Sequence, residues 1–474
     1  MKKKRRSVGR CGTSPRSALE RSAIGDETGH RLRSPDHARV VGTSDISNSG
    51  TKKQGAIRRF LGVLGPGLIT GASDDDPSGI GTYSQAGAQF GFDIGWTMLL
   101  TYPLMAAIQE ISARIGRTTG HGIAGNLCRH YPAWLLRVIV LLLFIANTIN
   151  IGADLSAMAD ATKLLIGGHG LLYVFVFGSI CVIGMVFTNY DRYVFVLKWM
   201  TLSLFAYVAA LLAAKVDWTA AIAGMLLPQI TLSAGFFTTL VAILGTTISP
   251  YLFFWQASQE AEDVKANQAR KPLVRAPHQA TDAFQRIRAD TLVGMAFSNV
   301  IALSIILTTG ATLHQAGVFD VQTSAQAAEA LKPIAGEFAF IIFALGIVGT
   351  GLLAIPILAA SAAYAIGEAF RWPTGLSRRP SKAPAFYGTL TAAAVLGVAI
   401  TLSPIDPIKA LYWTAVINGV VAVPVMAILM LMTAQPRIMG KFTITGWLRW
   451  LGWASTIAMA ACVVGMVVGW FIPE

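Results

Sequence analysis

Long apolar runs alternate with short polar connections over most of the chain. Each run is close to the roughly 20 residues that an α-helix needs to cross a bilayer. Eleven runs reach this length, near residues 61–88, 94–115, 133–158, 171–188, 192–214, 235–258, 290–313, 338–366, 385–403, 408–432 and 447–472. The pattern predicts an all-α membrane protein with about eleven transmembrane helices.

Two of these runs are interrupted by proline. The first run contains three consecutive aspartates, Asp74, Asp75 and Asp76, followed by Pro77. A charge at the bilayer centre costs roughly 2.5–3.5 kcal/mol, so a retained cluster is expected to serve a function. The sixth run contains Pro250, and proline breaks or kinks a helix. Both helices are therefore expected to unwind near the membrane midplane.

The two interruptions lie five runs apart, which indicates an internal repeat. Because five is odd, the two units would have opposite orientations in the membrane, and a substrate site is expected between the broken helices. The predicted repeats cover about 59–215 and 235–432, with an extra helix at 447–472.

Composition agrees with a polytopic membrane protein. Of the 474 residues, 54% are hydrophobic and only 13% are charged, against about 25% charged in soluble domains. The four cysteines show neither disulfide nor zinc-ligand spacing, so no cofactor is expected. The expected partners are small cations and the lipid bilayer, and no protein partner is indicated.

Basic residues are concentrated at one end of the chain. Residues 1–59 hold 15 Lys and Arg against 5 Asp and Glu. We interpret 1–58 as a disordered, basic cytoplasmic tail rather than a nucleic-acid-binding segment. Residues 59–474 are then the transmembrane domain.

The loops after the even-numbered runs also carry most of the remaining basic residues, including Arg114, Arg117, Arg129, Arg137, Lys265, Arg270, Lys271, Arg275, Arg286, Arg288, Arg371, Arg378, Arg379, Lys382, Arg437, Lys441 and Arg449. Only Lys163, Lys215, Lys332 and Lys409 fall on the other side. The positive-inside rule predicts a cytoplasmic N-terminus and an outer C-terminus. A bacterial inner membrane is the expected location.

The first break offers oxygen ligands for a cation. Unwinding frees backbone carbonyls, which suit hard cations. Asp76 is predicted to supply the formal charge, unless it serves only as a helix cap. Ser73 is placed to present its carbonyl. Asp74 and Asp75 are expected to line a hydrated vestibule, or one of them to pair with a basic group.

The facing break and two other runs add further candidates. Ser249 is predicted to offer a hydroxyl, and Thr246 a carbonyl. In the third run Asn147, Asn150 and Asp154 share one helical face. For the asparagines, hydrogen bonding between helices is slightly favoured over lining a cavity. A further polar residue, Asn418 in the tenth run, is placed equally well to line the cavity or to pack against another helix.

No histidine, methionine or cysteine lies at either break. Soft ligands favour Cu⁺ and Fe²⁺ over hard cations. An oxygen-only site therefore predicts Mg²⁺, Ca²⁺ or Mn²⁺, and a roomy site with extra carboxylates suits Mg²⁺, which dehydrates reluctantly.

Several motifs resemble the Nramp family of divalent metal transporters over about residues 60–470. Gly65-Pro66-Gly67 followed by Asp76-Pro77 is similar to the family's GPG…DPGN signature, and Gly245…Pro250 to its second break. Further similarity lies in 85–91 and 113–120. The resemblance implies a LeuT-type 5+5 inverted-repeat fold, which agrees with the spacing of the two breaks.

The departures from the family pattern bear on the transported ion. Gly79 replaces the asparagine ligand, Ser249 the methionine ligand, and Tyr251 and Gln256 two histidines. Asp154 matches a family aspartate, but Ala157 replaces the glutamate that follows it. This shell is most similar to the Nramp-related magnesium transporters. It implies uptake of Mg²⁺, and also Mn²⁺, with weak or no proton coupling.

Two alternatives remain open. One is an ordinary proton-coupled Mn²⁺/Fe²⁺ importer that tolerates substitution at its second break. For either importer, the candidates to line a vestibule or a proton path are Asp74, Asp75, Tyr251, Asp154, Gln256 and Asn418. The other is a Na⁺-coupled amino-acid symporter of the same fold, although an aspartate cluster would repel a substrate carboxylate. No run contains a nucleophile–base pair or an HExxH motif, so an enzyme is not expected.

Overall fold

The computed structural model describes residues 70–71, 73–187, 204–267, 269–332, 336–403 and 405–471. The basic tail at 1–58, the Gly65-Pro66-Gly67 motif and much of the run at 192–214 lie outside the described residues. Throughout the described ranges the regular elements are helices, and no strand is present.

The helices are numbered in chain order. Helices α1 to α8 span Pro77–Phe90, Trp96–Thr119, Ile123–His130, Ala133–Ile166, Gly170–Phe187, Phe205–Ala213, Trp218–Leu226 and Ala234–Thr247. Helices α9 to α16 span Pro250–Ala266, Ala280–Thr309, Ser324–Glu329, Ala339–Ala369, Pro384–Ile400, Pro407–Thr433, Pro436–Met439 and Gly446–Phe471. Short 3₁₀ turns lie at Gly91–Ile94, Pro277–Gln279, Gly336–Phe338, Pro380–Lys382 and Gly440–Phe442, and a π-helical turn at Gly310–His314.

The helices fall where the apolar runs predict them. Within the described ranges, seven helical stretches are long and apolar enough to cross a membrane, namely Ala133–Ile166, Gly170–Phe187, Ala234–Ala266, Pro277–His314, Ala339–Ala369, Pro407–Thr433 and Gly446–Phe471. The other predicted runs correspond to α1, α2, α6 and α13, which are shorter or less apolar. The prediction of an all-α membrane fold is confirmed.

Both predicted breaks are present. Helical backbone stops after Asp74, and α1 begins at Pro77. In the sixth span α8 ends at Thr247 and α9 begins at Pro250. Each proline occupies the first turn of the following helix, where its missing N–H has no helical partner to lose. The local chemistry therefore ends one half-helix and starts the next.

The two breaks are held inside a shell of long helices. Helix α1 packs against α8, α10 and α14, and α4 packs against α12, α13 and α14. Glycine also permits a close approach of α8 to α14, since a Cβ on Gly245 would collide with the Ala415 carbonyl oxygen. This packing brings polar groups from α4, α10 and α14 to the breaks.

Candidate metal-binding site at the two helix breaks

Asp76 occupies the first break and is almost completely buried, with 1% of its surface exposed. Its Oδ1 accepts hydrogen bonds from the Gly79 N–H at 2.8 Å and the Ser78 hydroxyl at 2.6 Å. Asp76 is therefore the N-cap of α1. Capping engages one oxygen and leaves Oδ2 directed toward other elements, so the cap and the predicted ligand role are compatible.

Tyr251 connects the second break to the first. Its hydroxyl donates to the Ser73 carbonyl oxygen at 2.9 Å and lies 3.4 Å from Asp76 Oδ2. The phenol thus lies between the carbonyl and the carboxylate that the sequence assigns to the cation. An ion held by both oxygens would require this O–H to turn away, after which the tyrosine oxygen is itself a hard ligand.

Asn150 of α4 bridges two aspartates. Its Nδ2 donates to Asp76 Oδ2 at 3.1 Å and to Asp154 Oδ2 at 3.1 Å. Its Oδ1 accepts from Asn418 Nδ2 of α14 at 3.2 Å. All four side chains are buried. Asp154 and Asn418 are thereby linked to Asp76 through one amide.

The two asparagines of α4 differ in role. Asn147 donates to the Leu358 carbonyl at 2.9 Å and to the Ser361 hydroxyl at 2.6 Å, so it joins α4 to α12 as expected for packing. Asn150 also forms the expected hydrogen bond between helices, accepting from Asn418 of α14, and in addition it contacts Asp76 directly. Its position four residues before Asp154, one helical turn away, indicates the contact with Asp154 but not the one with Asp76.

At the second break the structure differs from the prediction. The Ser249 hydroxyl lies 2.7 Å from both the Gly245 and the Thr246 carbonyl oxygens, either of which can accept its one hydrogen. The Ser249 hydroxyl is therefore directed at its own half-helix rather than at the first break. A serine hydroxyl one turn after a free carbonyl readily bonds back to it, since the break leaves that carbonyl without a helical donor.

The Thr246 hydroxyl, rather than its carbonyl, approaches the first break. A Cβ built on Gly79 would lie 3.1 Å from Thr246 Oγ1 and 3.3 Å from the Asp74 carbonyl oxygen. The Gly79 position therefore lies close to both breaks, and even a methyl group there would be tightly packed.

Asp74 and Asp75 do not line an open vestibule. Both have no exposed surface, and the Ser298 hydroxyl of α10 lies 2.6 Å from Asp74 Oδ2 and 3.1 Å from Asp75 Oδ1. Among the described residues, neither carboxylate forms an ion pair with a basic side chain. Their side chains therefore lie against α10.

Gln256 lies farther along α9. Its Oε1 accepts from the Thr70 hydroxyl at 2.6 Å, on the half-helix that precedes the first break. Gln256 therefore joins the two broken helices, and its hydrogen bond is to Thr70 rather than to Asp76. The expectation that it lines the site is not met in this arrangement.

The resulting centre is built from oxygen groups around a single central carboxylate. Within the described residues, no group of three or more His, Cys, Asp or Glu side chains is arranged to hold a metal ion. A bound cation would therefore depend on Asp76, carbonyls, hydroxyls and its own water. Such a set suits a hard cation.

Comparison with known proteins agrees with this architecture. The chain is 24% identical over 445 residues to the divalent metal cation transporter MntH of Klebsiella pneumoniae subsp. pneumoniae, covering 90% of this chain and 98% of that protein. It is also 24% identical over 448 residues to the protein of the same name from Klebsiella pneumoniae strain 342, covering 91% and 98%.

Solved structures share the fold. A mutant of the Eremococcus coleocola manganese transporter superposes with a TM-score of 0.67 at 15% identity, covering 90% of this chain and 91% of that chain. The same transporter in complex with an aromatic bis-isothiourea substituted compound gives 0.65 at 16% identity, covering 91% and 92%.

A family model provides the assignment. The model described as natural resistance-associated macrophage protein-like matches residues 67–469, which is most of the chain and includes both breaks. The resemblance drawn from the two signature segments is thereby confirmed. The chain belongs to the Nramp family of membrane transporters of divalent metal cations.

Proposed function

We propose that this protein carries Mg²⁺, and also Mn²⁺, into the cytoplasm across a bacterial inner membrane, with weak or no proton coupling. The observation that carries the proposal is the convergence of the Ser73 carbonyl, the Asp76 carboxylate and the Tyr251 hydroxyl at one buried point. All three are hard oxygen groups. Sulfur and imidazole are missing from both break sequences.

The small number of charged ligands favours an ion that keeps water. Mg²⁺ demands octahedral oxygen coordination and usually binds through one or two carboxylates plus several waters. Asp76 provides one carboxylate, and Asp154 lies behind it through Asn150. Mn²⁺ accepts the same oxygen ligands.

The proposal of weak proton coupling rests on the residues that replace histidine. Tyr251 and Gln256 stand at the two family histidine positions, and neither titrates near neutral pH. His121, in the turn between α2 and α3, has its pKa lowered to about 4 by burial and by the positive charges of Arg129 and Lys265. At pH 7 its imidazole is therefore neutral and lacks the second ring proton.

Ion flux into proteoliposomes tests the proposal. Purified protein is expected to admit Mg²⁺, measured with a fluorescent indicator trapped in the lumen. The Asp76→Asn variant keeps the cap acceptor but removes the charge, so its flux is expected to fall to background. Asp406→Asn, at an exposed side chain outside the site, is the matched control and should transport normally. Normal flux through Asp76→Asn would place the site elsewhere.

A proton-coupled Mn²⁺ importer is the second candidate. Two observations favour it: the similar solved structures are of a manganese transporter, and the Met158 sulfur contacts Gly351, close to Pro77. Met158→Leu separates the candidates. If Mg²⁺ is the main substrate, the variant leaves the Mg²⁺/Mn²⁺ rate ratio unchanged, whereas a sulfur ligand for Mn²⁺ would make Mn²⁺ transport fall selectively.

A further inference from the structure

The four buried aspartates at the first break and on α4 form two separate pairs. Asn150 bridges Asp76 and Asp154, while Ser298 bridges Asp74 and Asp75 from α10. The proposed transport site accounts for the first pair only. The second pair faces a different helix and is as deeply buried.

Ser298 satisfies the second pair incompletely. A serine hydroxyl has one hydrogen and donates to one acceptor at a time. Asp74 Oδ1 and Asp75 Oδ2 have no hydrogen-bond partner within the described part of the chain, although both are buried. Buried charges are normally paired or coordinate a metal, because removing them from water is costly.

An independent polar group is directed at the same place. Tyr83 of α1 has no exposed surface, and its hydroxyl has no hydrogen-bond partner among the described residues. Its ring reaches back along α1 to the break, since a Cβ on Gly79 would lie 3.3 Å from both Tyr83 Cε2 and the Asp74 carbonyl oxygen. Tyr83 also interacts electrostatically with Asp74 and Asp75, and its hydroxyl lies near the Thr246 hydroxyl. Its oxygen is a further hard ligand beside the pair.

The charge count points to a divalent ion. When ionised, each pair of aspartates carries two negative charges. None of the five ion pairs found in the described residues includes Asp74, Asp75, Asp76 or Asp154. One divalent cation at each pair would balance the four charges, whereas a single ion at Asp76 leaves the second pair uncompensated.

We propose that Asp74, Asp75, Ser298 and Tyr83 form a second binding site for a hard divalent cation, adjacent to the site at Asp76. The inference rests on the proposed function, because it takes the transported ion as the ligand. Two neighbouring ions repel each other, so occupancy of the second site would promote release of the ion at Asp76.

Mn²⁺ binding to the full-length protein in lipid nanodiscs tests the second site, with electron paramagnetic resonance as the readout. We expect two Mn²⁺ per chain and a spectrum broadened by dipolar coupling between the ions. The double variant Asp74→Asn/Asp75→Asn is expected to bind one Mn²⁺ with a sharp six-line spectrum. One Mn²⁺ per wild-type chain, with the same stoichiometry in the double variant, would overturn the proposal. That result would mean that protons alone neutralise Asp74 and Asp75.

Ser298→Ala is the milder variant, in case the double variant does not fold. It removes one supporting hydroxyl, so the weaker of the two Mn²⁺ dissociation constants should rise roughly tenfold. Ser304→Ala is the matched control, because Ser304 lies on the same helix and donates only to the Val300 carbonyl at 2.7 Å. Equal affinities in both serine variants would contradict the second site.

Failure of this inference is distinguishable from failure of the proposed function. If wild-type protein transports Mg²⁺, loses transport in Asp76→Asn and binds only one Mn²⁺, the transport proposal stands and the second site does not. If Asp76→Asn transports normally, the transport site itself is misplaced, whatever the Mn²⁺ stoichiometry.

Discussion

At the scale of single residues, the site is organised by small changes in side-chain chemistry. The family resemblance places Tyr251 where Nramp proteins have histidine, and its hydroxyl joins the carbonyl of Ser73 to the carboxylate of Asp76. It places Ser249 where they have a sulfur ligand, and the Ser249 hydroxyl bonds back to its own half-helix. The first substitution retains an oxygen in the site, and the second removes a side-chain ligand from it.

Replacing Ser249 by methionine should restore a soft ligand. A thioether at this position cannot donate to the Gly245 and Thr246 carbonyls and would extend toward the first break. We expect Ser249→Met to bind Cd²⁺ about tenfold more tightly, equivalent to about 1.4 kcal/mol, with Mg²⁺ affinity unchanged or weaker. Isothermal titration of the purified variant measures this, with Ser249→Ala as the control for loss of the hydroxyl. An unchanged Cd²⁺ affinity would contradict the proposed geometry.

Only some features of the site could be predicted from the sequence. Ionisable side chains are rare in membrane helices, and proline marks a break. These two signals were enough to predict Asp76, Ser73 and Asp154 from the sequence. The direction of the Ser249 hydroxyl could not be predicted, because a free carbonyl one turn earlier competes for it. The hydrogen bond from Asn150 to Asp76 depends on how α4 packs against the first break, and this packing cannot be predicted from the local sequence.

At the scale of helices, proline residues locate the two breaks, and glycine residues allow the surrounding helices to pack closely. The apolar runs predict the helices well, since a bilayer requires each span to satisfy its own backbone hydrogen bonds. Proline locates both breaks for the same reason. The approach of α8 to α14 is less visible in the sequence, because Gly245 permits close contact without specifying which helix makes it.

A methyl group at the α8–α14 contact should therefore destabilise the protein. In Gly245→Ala the new Cβ meets the Ala415 carbonyl oxygen, and overpacking of this kind costs roughly 1–3 kcal/mol. The matched control is Gly388→Ala on α13, where nothing lies within 4 Å and helix propensity favours alanine by up to about 1 kcal/mol. Thermal unfolding, monitored by size-exclusion chromatography, should show a lower midpoint temperature for Gly245→Ala only. Equal midpoints would mean that the α8–α14 contact is not tight.

At the scale of the whole molecule, the distribution of charge governs both orientation and ion entry. Basic residues occupy the tail and the loops after the even-numbered spans, while four aspartates are buried in the middle of the helical domain. From the first feature the positive-inside rule predicts a cytoplasmic N-terminus and an outer C-terminus. The buried aspartates attract cations and repel anions.

Reporter fusions test this orientation directly. Alkaline phosphatase fused after residue 474 should be active, because that enzyme folds only outside the cytoplasm, while a fluorescent protein fused there should remain dark. Fusion of the same reporters at the loop after α12 should give the reverse result. A fluorescent C-terminal fusion would contradict an odd number of spans.

The central claim is Mg²⁺ transport without obligatory proton movement, and simultaneous recording of the two ions tests it most directly. Proteoliposomes would contain a Mg²⁺ indicator and a pH indicator in the lumen, with an inward Mg²⁺ gradient and the membrane potential clamped. We predict a rise in luminal Mg²⁺ with luminal pH unchanged, and loss of that rise in Asp76→Asn. Acidification in proportion to metal entry, together with faster Fe²⁺ or Cd²⁺ than Mg²⁺ uptake, would contradict the account.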